Sequence, residues 1–158
     1  KSTVFAHNKI ALIVPKDNPA QIDSLSALSS ARRFVLGTQD VPVGRYARQV
    51  LKQAGSHFGT DFENNVLSNI ASEESNARLV RAKVEMGEAD AALVYRTDAL
   101  TSDRVRVVSI PDDLNLRADY FIGLVGAPKD ASAGHAWINF LGSEKGKTIL
   151  IRHGFEVN

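Results

Sequence analysis

Residues 87–99 read GEADAALVYRTDA, and the fold is decided here. Gly87 is a natural stop for a helix running from about Ala77 to Met86, because glycine just past a periodic segment takes the left-handed conformation that ends it. Ala91-Ala92-Leu93-Val94-Tyr95 follows as a short continuous apolar run, the pattern of a buried strand. Upstream of the helix lie the polar stretch Ser72-Glu73-Glu74-Ser75-Asn76 and a weaker strand predicted over Val66 to Ala71. Downstream, Val105 to Ile110 and Tyr120 to Val125 are further apolar runs.

Working outward, Ile10 to Val14 is a strand closed by the turn Pro15-Lys16-Asp17-Asn18-Pro19. Asp23 or Ser24 can cap a short helix through Ala31, with Leu25 and Leu28 inward. Phe34-Val35-Leu36-Gly37 reads as a strand. After a loop from Thr38 to Val43, a helix is expected from about Gly44 to Ala54. Tyr46, Ala47, Val50, Leu51 and Ala54 keep helical spacing, Arg45, Arg48 and Lys52 fall elsewhere on the wheel, and Gly55 is the expected stop. The end of the chain is helical over Ala133 to Leu141, with Trp137, Phe140 and Leu141 inward, and over Ser143 to Arg152, stopped by Gly154. Strands alternate with helices, so the fold class is α/β, with a mostly parallel, mixed sheet flanked by helices.

The chain has 158 residues, 44% hydrophobic and 23% charged, the balance of an ordinary globular protein. A formal net charge of +1 excludes the basic excess of a nucleic-acid-binding domain. No apolar stretch is long enough to span a membrane. There are no cysteines, which excludes thiol chemistry, iron–sulfur clusters and cysteine zinc sites. No signal peptide is visible in the sequence, which opens with Lys1-Ser2-Thr3-Val4-Phe5 and passes straight into a strand, as expected of a mature or trimmed form.

Two loop-to-helix junctions stand out. In Asp40-Val41-Pro42-Val43-Gly44-Arg45-Tyr46, proline pushes Val41 toward an extended conformation, and Gly44 permits close backbone approach. Amides from Val43 onward then open a helix without intrahelical acceptors. Ser75-Asn76-Ala77-Arg78 repeats the arrangement. Helices that follow strands in such sheets begin where ligands bind, and converging helix starts favour an anion. Tyr95, ending its strand at the same edge, can add a hydroxyl donor. Most helix starts are nevertheless capped and bind nothing, and Tyr95 alone fits a half-buried structural tyrosine better. Catalysis has little support. His7, His57, His135 and His153 are scattered, no nucleophile elbow or phosphate loop is present, and Glu73-Glu74 reads as a solvated turn. No metal site, cofactor or catalytic residue is expected.

Lys9 to Pro15 (KIALIVP), Asp40 to Ala47 (DVPVGRYA), Gly87 to Ala99 (GEADAALVYRTDA) and Gly154-Phe155 resemble, in order and over essentially the whole chain, the periplasmic molybdate-binding proteins of ABC transporters. The resemblance implies a periplasmic-binding-protein-like lobe and an interlobe cleft holding a tetrahedral oxyanion by uncharged donors. Matched motif to motif, the ligand-binding positions are the amides of Val43 and Ala77 and the hydroxyl of Tyr95. Thr38-Gln39 departs from the acidic residue and proline common in that family, and Ala77 is smaller than the usual valine. Neither change removes a donor. The resemblance further implies that residues 1–119 form the ligand-binding second lobe with its hinge strand. Residues 120–158 would be the returning strand and C-terminal helices of a first lobe whose N-terminal part, with its serine donors, is missing. Trp137, Phe140, Ile149 and Leu150 are then expected to lack their packing partner, which favours self-association.

The function expected is therefore binding of molybdate or tungstate in the periplasm for delivery to a membrane permease. The alternative is a small-anion-sensing regulatory domain of a cytoplasmic transcription regulator. A signal peptide upstream would favour the first, and a helix-turn-helix segment the second. An enzyme on a similar lobe would need a catalytic residue that the sequence does not offer.

Overall fold

The structure, a computed structural model, describes residues 2–126 and 131–157. The chain forms two compact units. Lys9–Leu116 make one, and Lys1–Asn8 with Arg117–Asn158 make the other.

The first strand, β1 (Thr3–Pro15), is much longer than the apolar run Ile10 to Val14 suggested. Its extension has polar positions, which a search for continuous apolar residues passes over. Within the Lys9–Leu116 unit follow β2 (Phe34–Gly37), α1 (Pro42–Phe58), α2 (Asp61–Ser68), β3 (Ile70–Glu74), α3 (Ala77–Glu85), β4 (Ala91–Tyr95), α4 (Arg96–Ala99) and β5 (Val105–Val108). The strands are ordered β3-β2-β4-β1-β5. β2 runs parallel to β3 and β4, whereas β1 is antiparallel to β4 and β5. The sheet is thus mixed, with β1 reversing the parallel order expected from simple strand–helix alternation.

Successive side chains of a strand point to opposite faces, and each face here has its own core. Ile10, Leu12 and Val14 of β1, Phe34 and Leu36 of β2, and Ala91 and Leu93 of β4 pack with Ala47, Val50, Leu51 and Ala54 of α1 and with Phe62 and Val66 of α2. Ala11, Ile13, Val35, Ala92 and Val94 pack on the other face with Val80 and Val84 of α3 and Ala99 of α4. Leu25 and Leu28, inward as expected, frame a short 3-10 turn over Ser26–Ser30 rather than an α-helix.

Two element boundaries also need correction. Gly55 does not stop α1. It is buried inside the helix, and the stop is Gly59 at φ 110°, whose N–H donates to the Gly55 carbonyl. Val66 to Ala71 is not one strand. Phe62 and Val66, four apart, bury one face of α2, and β3 starts at Ile70.

At the amino edge of the sheet, Asp90 bolts β2 to β4. Its carboxylate accepts from the amides of Arg32 and Arg33, both 3.0 Å, and from the Arg33 guanidinium at 2.6 and 3.1 Å. Burial pushes this carboxyl up, but the Arg33 side chain and the two amides outweigh burial and hold it below the ordinary value.

The other unit contains the start of β1, β6 (Arg117–Ile122), which pairs with β1, and α5 (Ala131–Gly142) and α6 (Glu144–Arg152). His7 and Glu156 exchange backbone hydrogen bonds of 2.8 and 2.9 Å, and the His7 ring meets Asp119 at 2.7 Å. Tyr120 sits edge-on to Phe5 and Phe155. Ser143 caps α6 by accepting from the Gly146 amide. α5 has no buried residue, and Trp137, expected inward, is 58% exposed and stacked on Phe140.

Candidate functional site

Parallel pairing brings the carboxyl ends of β2, β3 and β4 to one edge, with β2 between the other two. Each strand hands its chain to the element that carries an expected site residue: α1 after β2, α3 after β3, and Tyr95 itself at the end of β4. The residues picked from motif spacing therefore share one edge.

α1 begins at Pro42, which has no N–H to satisfy and a φ already suited to the first helical turn. Val41, extended at φ −100° and ψ 145°, precedes it without a capping side chain. The amides of Gly44 and Arg45 both turn back to the Val41 carbonyl, at 3.1 and 3.2 Å. The amide of Val43, a buried residue, is left without a protein acceptor among the described residues. Gly44 is required by packing. A Cβ there would overlap the carbonyls of Gly37 and Thr38, and one on Gly37 would lie 2.8 Å from the Val43 side chain and 2.9 Å from the Gly44 nitrogen. The strand end and the helix start are backbone against backbone.

α3 starts differently. Asn76 is extended, and its side chain accepts from the Leu79 amide at 3.0 Å. The Val80 amide reaches the Asn76 carbonyl, so the amides of Ala77 and Arg78 remain without a protein acceptor among the described residues. Tyr95 is half-buried, and its ring lies 6.3 Å from that of Tyr46 on α1.

Three cations around this edge have acceptors, whereas the side chains of Arg78 beside Ala77 and Arg96 after Tyr95 make no hydrogen bond or ion pair among the described residues. The Arg45 guanidinium donates to the Asp40 carbonyl at 2.9 Å. Arg48 donates to the Gly37 carbonyl at 2.9 Å and to the Gly44 carbonyl at 3.3 Å, and it pairs with Glu73. Arg81 donates to the Asp98 carbonyl at 2.8 Å and pairs with Glu85. Burial pushes the Asp98 carboxyl above its usual value against the pull of Arg81 and Arg78. The edge thus offers backbone amide donors with the Arg78 cation beside them, which suits an anion held by dipoles. No group of three or more His, Cys, Asp or Glu side chains among the described residues could hold a metal ion. A separate cavity of about 410 Å³ is lined by Lys9, Arg96, Leu100, Val107 and Asp112.

Sequence reasoning passed over Arg48, Glu73 and Tyr46 as site neighbours. Arg48 read as a polar position on the wheel, and Glu73 as solvated turn. The one available signal was the spacing that puts Arg48 one helical turn after Gly44.

Comparisons with known proteins give the chain's family. The profile of a family described as "Bacterial extracellular solute-binding protein" matches residues 1–156. YvgL of Bacillus subtilis, named as a candidate ABC transporter substrate-binding lipoprotein, is 30% identical over 98% of this chain and 57% of its own length. The molybdate-binding protein ModA of Escherichia coli is 28% identical over 95% of this chain and 58% of its own. Among solved structures, the substrate-binding domain of a candidate molybdenum ABC transporter of Clostridium difficile superposes with TM-score 0.81 at 22% identity, covering 99% of this chain and 66% of that one. PEB3 bound to L-phospholactate superposes with TM-score 0.83 at 19% identity, covering 100% and 69%. The chain spans little more than half the length of the curated relatives it matches. By the match over nearly its whole length, the chain belongs to the bacterial extracellular solute-binding proteins, a family of binding proteins rather than enzymes.

Proposed function

We propose that this chain is the anion-gripping lobe of a periplasmic receptor that binds molybdate or tungstate and delivers it to the permease of an ABC transporter. The donors are the backbone amides of Val43 and Ala77 and the hydroxyl of Tyr95. Residues 1–119 form the gripping lobe with its hinge strand, and residues 120–158 the returning strand and helices of the other lobe. The facing wall of the cleft comes from the share of the relatives' length that this chain does not span.

One observation carries the reading. Two helix starts with unsatisfied amides and a strand-ending tyrosine meet at one edge, while Arg48 beside them is already paired with Glu73. A site made only of donors fits a fully deprotonated tetrahedral dianion. The proton of hydrogen phosphate would find no acceptor, a mismatch costing about 1–3 kcal/mol. The 28% identity to a molybdate-binding protein supports the same ligand class.

In the receptor with both walls, Tyr95→Phe is expected to weaken molybdate binding by about 1.5–3 kcal/mol, the range for a hydrogen bond to a charged group. Val43→Ala keeps its amide and is expected to change little. Calorimetry on both variants, with molybdate, tungstate, sulfate and phosphate, tests the assignment. Phosphate bound as tightly as molybdate, or a large loss with Val43→Ala and none with Tyr95→Phe, overturns it. This chain by itself presents one wall, where each hydrogen bond to a hydrated anion contributes about 0.5–1.5 kcal/mol net. Three such contacts total at most roughly 4.5 kcal/mol, so its dissociation constant is expected in the millimolar range.

A further inference from the structure

We infer that Arg48 is a positioning residue that sets the spacing between the Val43 and Ala77 amides, and so makes the site selective for a larger tetrahedral dianion over a smaller one. The inference rests on the anion-binding reading above and assigns its size selectivity to a side chain that does not touch the anion.

The argument begins with what the guanidinium holds. One nitrogen donates to the carbonyl of Gly37, the last residue of β2, and to that of Gly44, in the first turn of α1. The second pairs with Glu73 near the end of β3. Three backbone segments are thereby tied to one planar, rigid group, whose fork fixes directions as well as distances. Its side chain is only 18% exposed. The Gly37 carbonyl and the Val43 amide flank the same tight loop, where the Thr38 amide also donates to the Glu74 carbonyl at 2.9 Å. Ala77 follows Glu74 by only three residues. The clamp therefore reaches both donor loops at their roots.

Two physical consequences separate. The first is geometric. Without the fork, the Gly37 and Gly44 carbonyls lose a common donor, and the two loops are free to relax independently. The second is electrostatic. Glu73 compensates the Arg48 charge, so this pair adds no general attraction for every anion that approaches. An arginine placed for charge alone would not need an acidic partner or carbonyl acceptors.

Molybdate and sulfate isolate the geometric part, because both are tetrahedral dianions at neutral pH and differ chiefly in size. The experiment is an amide-resolved NMR titration of this chain, which reads millimolar constants and reports Val43 and Ala77 separately. In the unsubstituted chain both amides shift on adding molybdate, with one common constant. In Arg48→Met the molybdate constant rises about tenfold, the worth of roughly one lost hydrogen bond, while the sulfate constant changes by less than about threefold. Arg48→Lys keeps the charge but loses the fork, and is expected to follow Arg48→Met. Glu73→Gln leaves a positive charge uncompensated, and is expected to tighten both anions by the same factor. Amide exchange of Leu36 and Leu93 shows in each case that the sheet persists.

Equal weakening of both anions by Arg48→Met, or full retention of selectivity in Arg48→Lys, reduces Arg48 to a structural brace or a mere charge and overturns the inference. Loss of the fold in Arg48→Met leaves Arg48→Lys and Glu73→Gln to decide it. If Val43 and Ala77 of the unsubstituted chain do not respond to molybdate at all, the anion-binding reading itself fails. That result is distinct from a responsive chain whose selectivity ignores Arg48.

Discussion

In the Lys9–Leu116 unit, Leu12, Ile13, Phe34, Leu36, Leu51 and Leu93 are fully buried, whereas in the other unit α5 has no buried residue and Trp137 is 58% exposed. Both regions contain apolar residues at helical or strand spacing. The difference lies in what those residues face. A central sheet offers two surfaces, and each is covered here by helices, α1 and α2 on one side, α3 and α4 on the other. The two helices of the other unit have each other and the short β1–β6 pair to bury against, and helices of this length draw their stability from packing rather than propensity. The sheet unit can therefore hold its amino edge rigid through Asp90 and spend its carboxyl edge on unsatisfied amides.

The strongest way to break this contrast is Phe34→Ala, which removes a fully buried ring of β2 from the larger core. The expected loss is about 3–5 kcal/mol, read by urea unfolding with circular dichroism. The chain's single tryptophan, Trp137, reports the other unit by fluorescence. If the fluorescence transition shifts as far as the dichroism transition, the two regions unfold together and the contrast is one of burial only.

Asp90→Asn probes the amino-edge bolt and is expected to cost about 1–3 kcal/mol near neutral pH. The sign follows from the depressed carboxyl. Its folded value lies below its unfolded one, so its contribution is complete above the ordinary carboxylate range and disappears as pH falls through the folded value. The gap between Asp90→Asn and the unsubstituted chain should therefore close on acidification. A gap that stays constant from neutral pH into the acid range refutes the bolt as an ionised group.

The smallest effect is expected from Trp137→Ala, below about 1 kcal/mol, as for exposed positions generally. A loss comparable to that of Phe34→Ala would mean that α5 belongs to a core of its own, and the comparison would have to be redrawn.

Continuous apolar runs were the most readable part of the sequence. Phe34–Gly37 and Ala91–Tyr95 are strands with the bounds their residues suggest, because a strand buried on both faces shows its burial at every position. Val66 was misassigned for the opposite reason. Its partner is Phe62, four residues back, and a short amphipathic helix next to a half-exposed strand has too few periodic positions to stand out. Gly55 shows a second limit. It lies against Glu63 of α2, so the helix continues through a glycine that local propensity would use as a stop. Arg48 was hard to read for a third. Two of its acceptors are carbonyls, which every residue has, so the one local signal was its place a turn after Gly44.

The sequence by itself determined the donor chemistry of the candidate site. Pro42 opens a helix whose first-turn amides, Val43 next to it, have no intrahelical partner, Asn76 caps only Leu79, and Tyr95 ends an apolar run. These are local consequences of residue type within a few positions along the chain. Only the tertiary structure decided that these donors meet. β3, β2 and β4 are joined by backbone hydrogen bonds between segments far apart in sequence, and such bonds are chemically the same for every residue. Register and strand order are set by which faces bury together, and β1, running antiparallel beside β4, was the strand whose direction no local pattern disclosed.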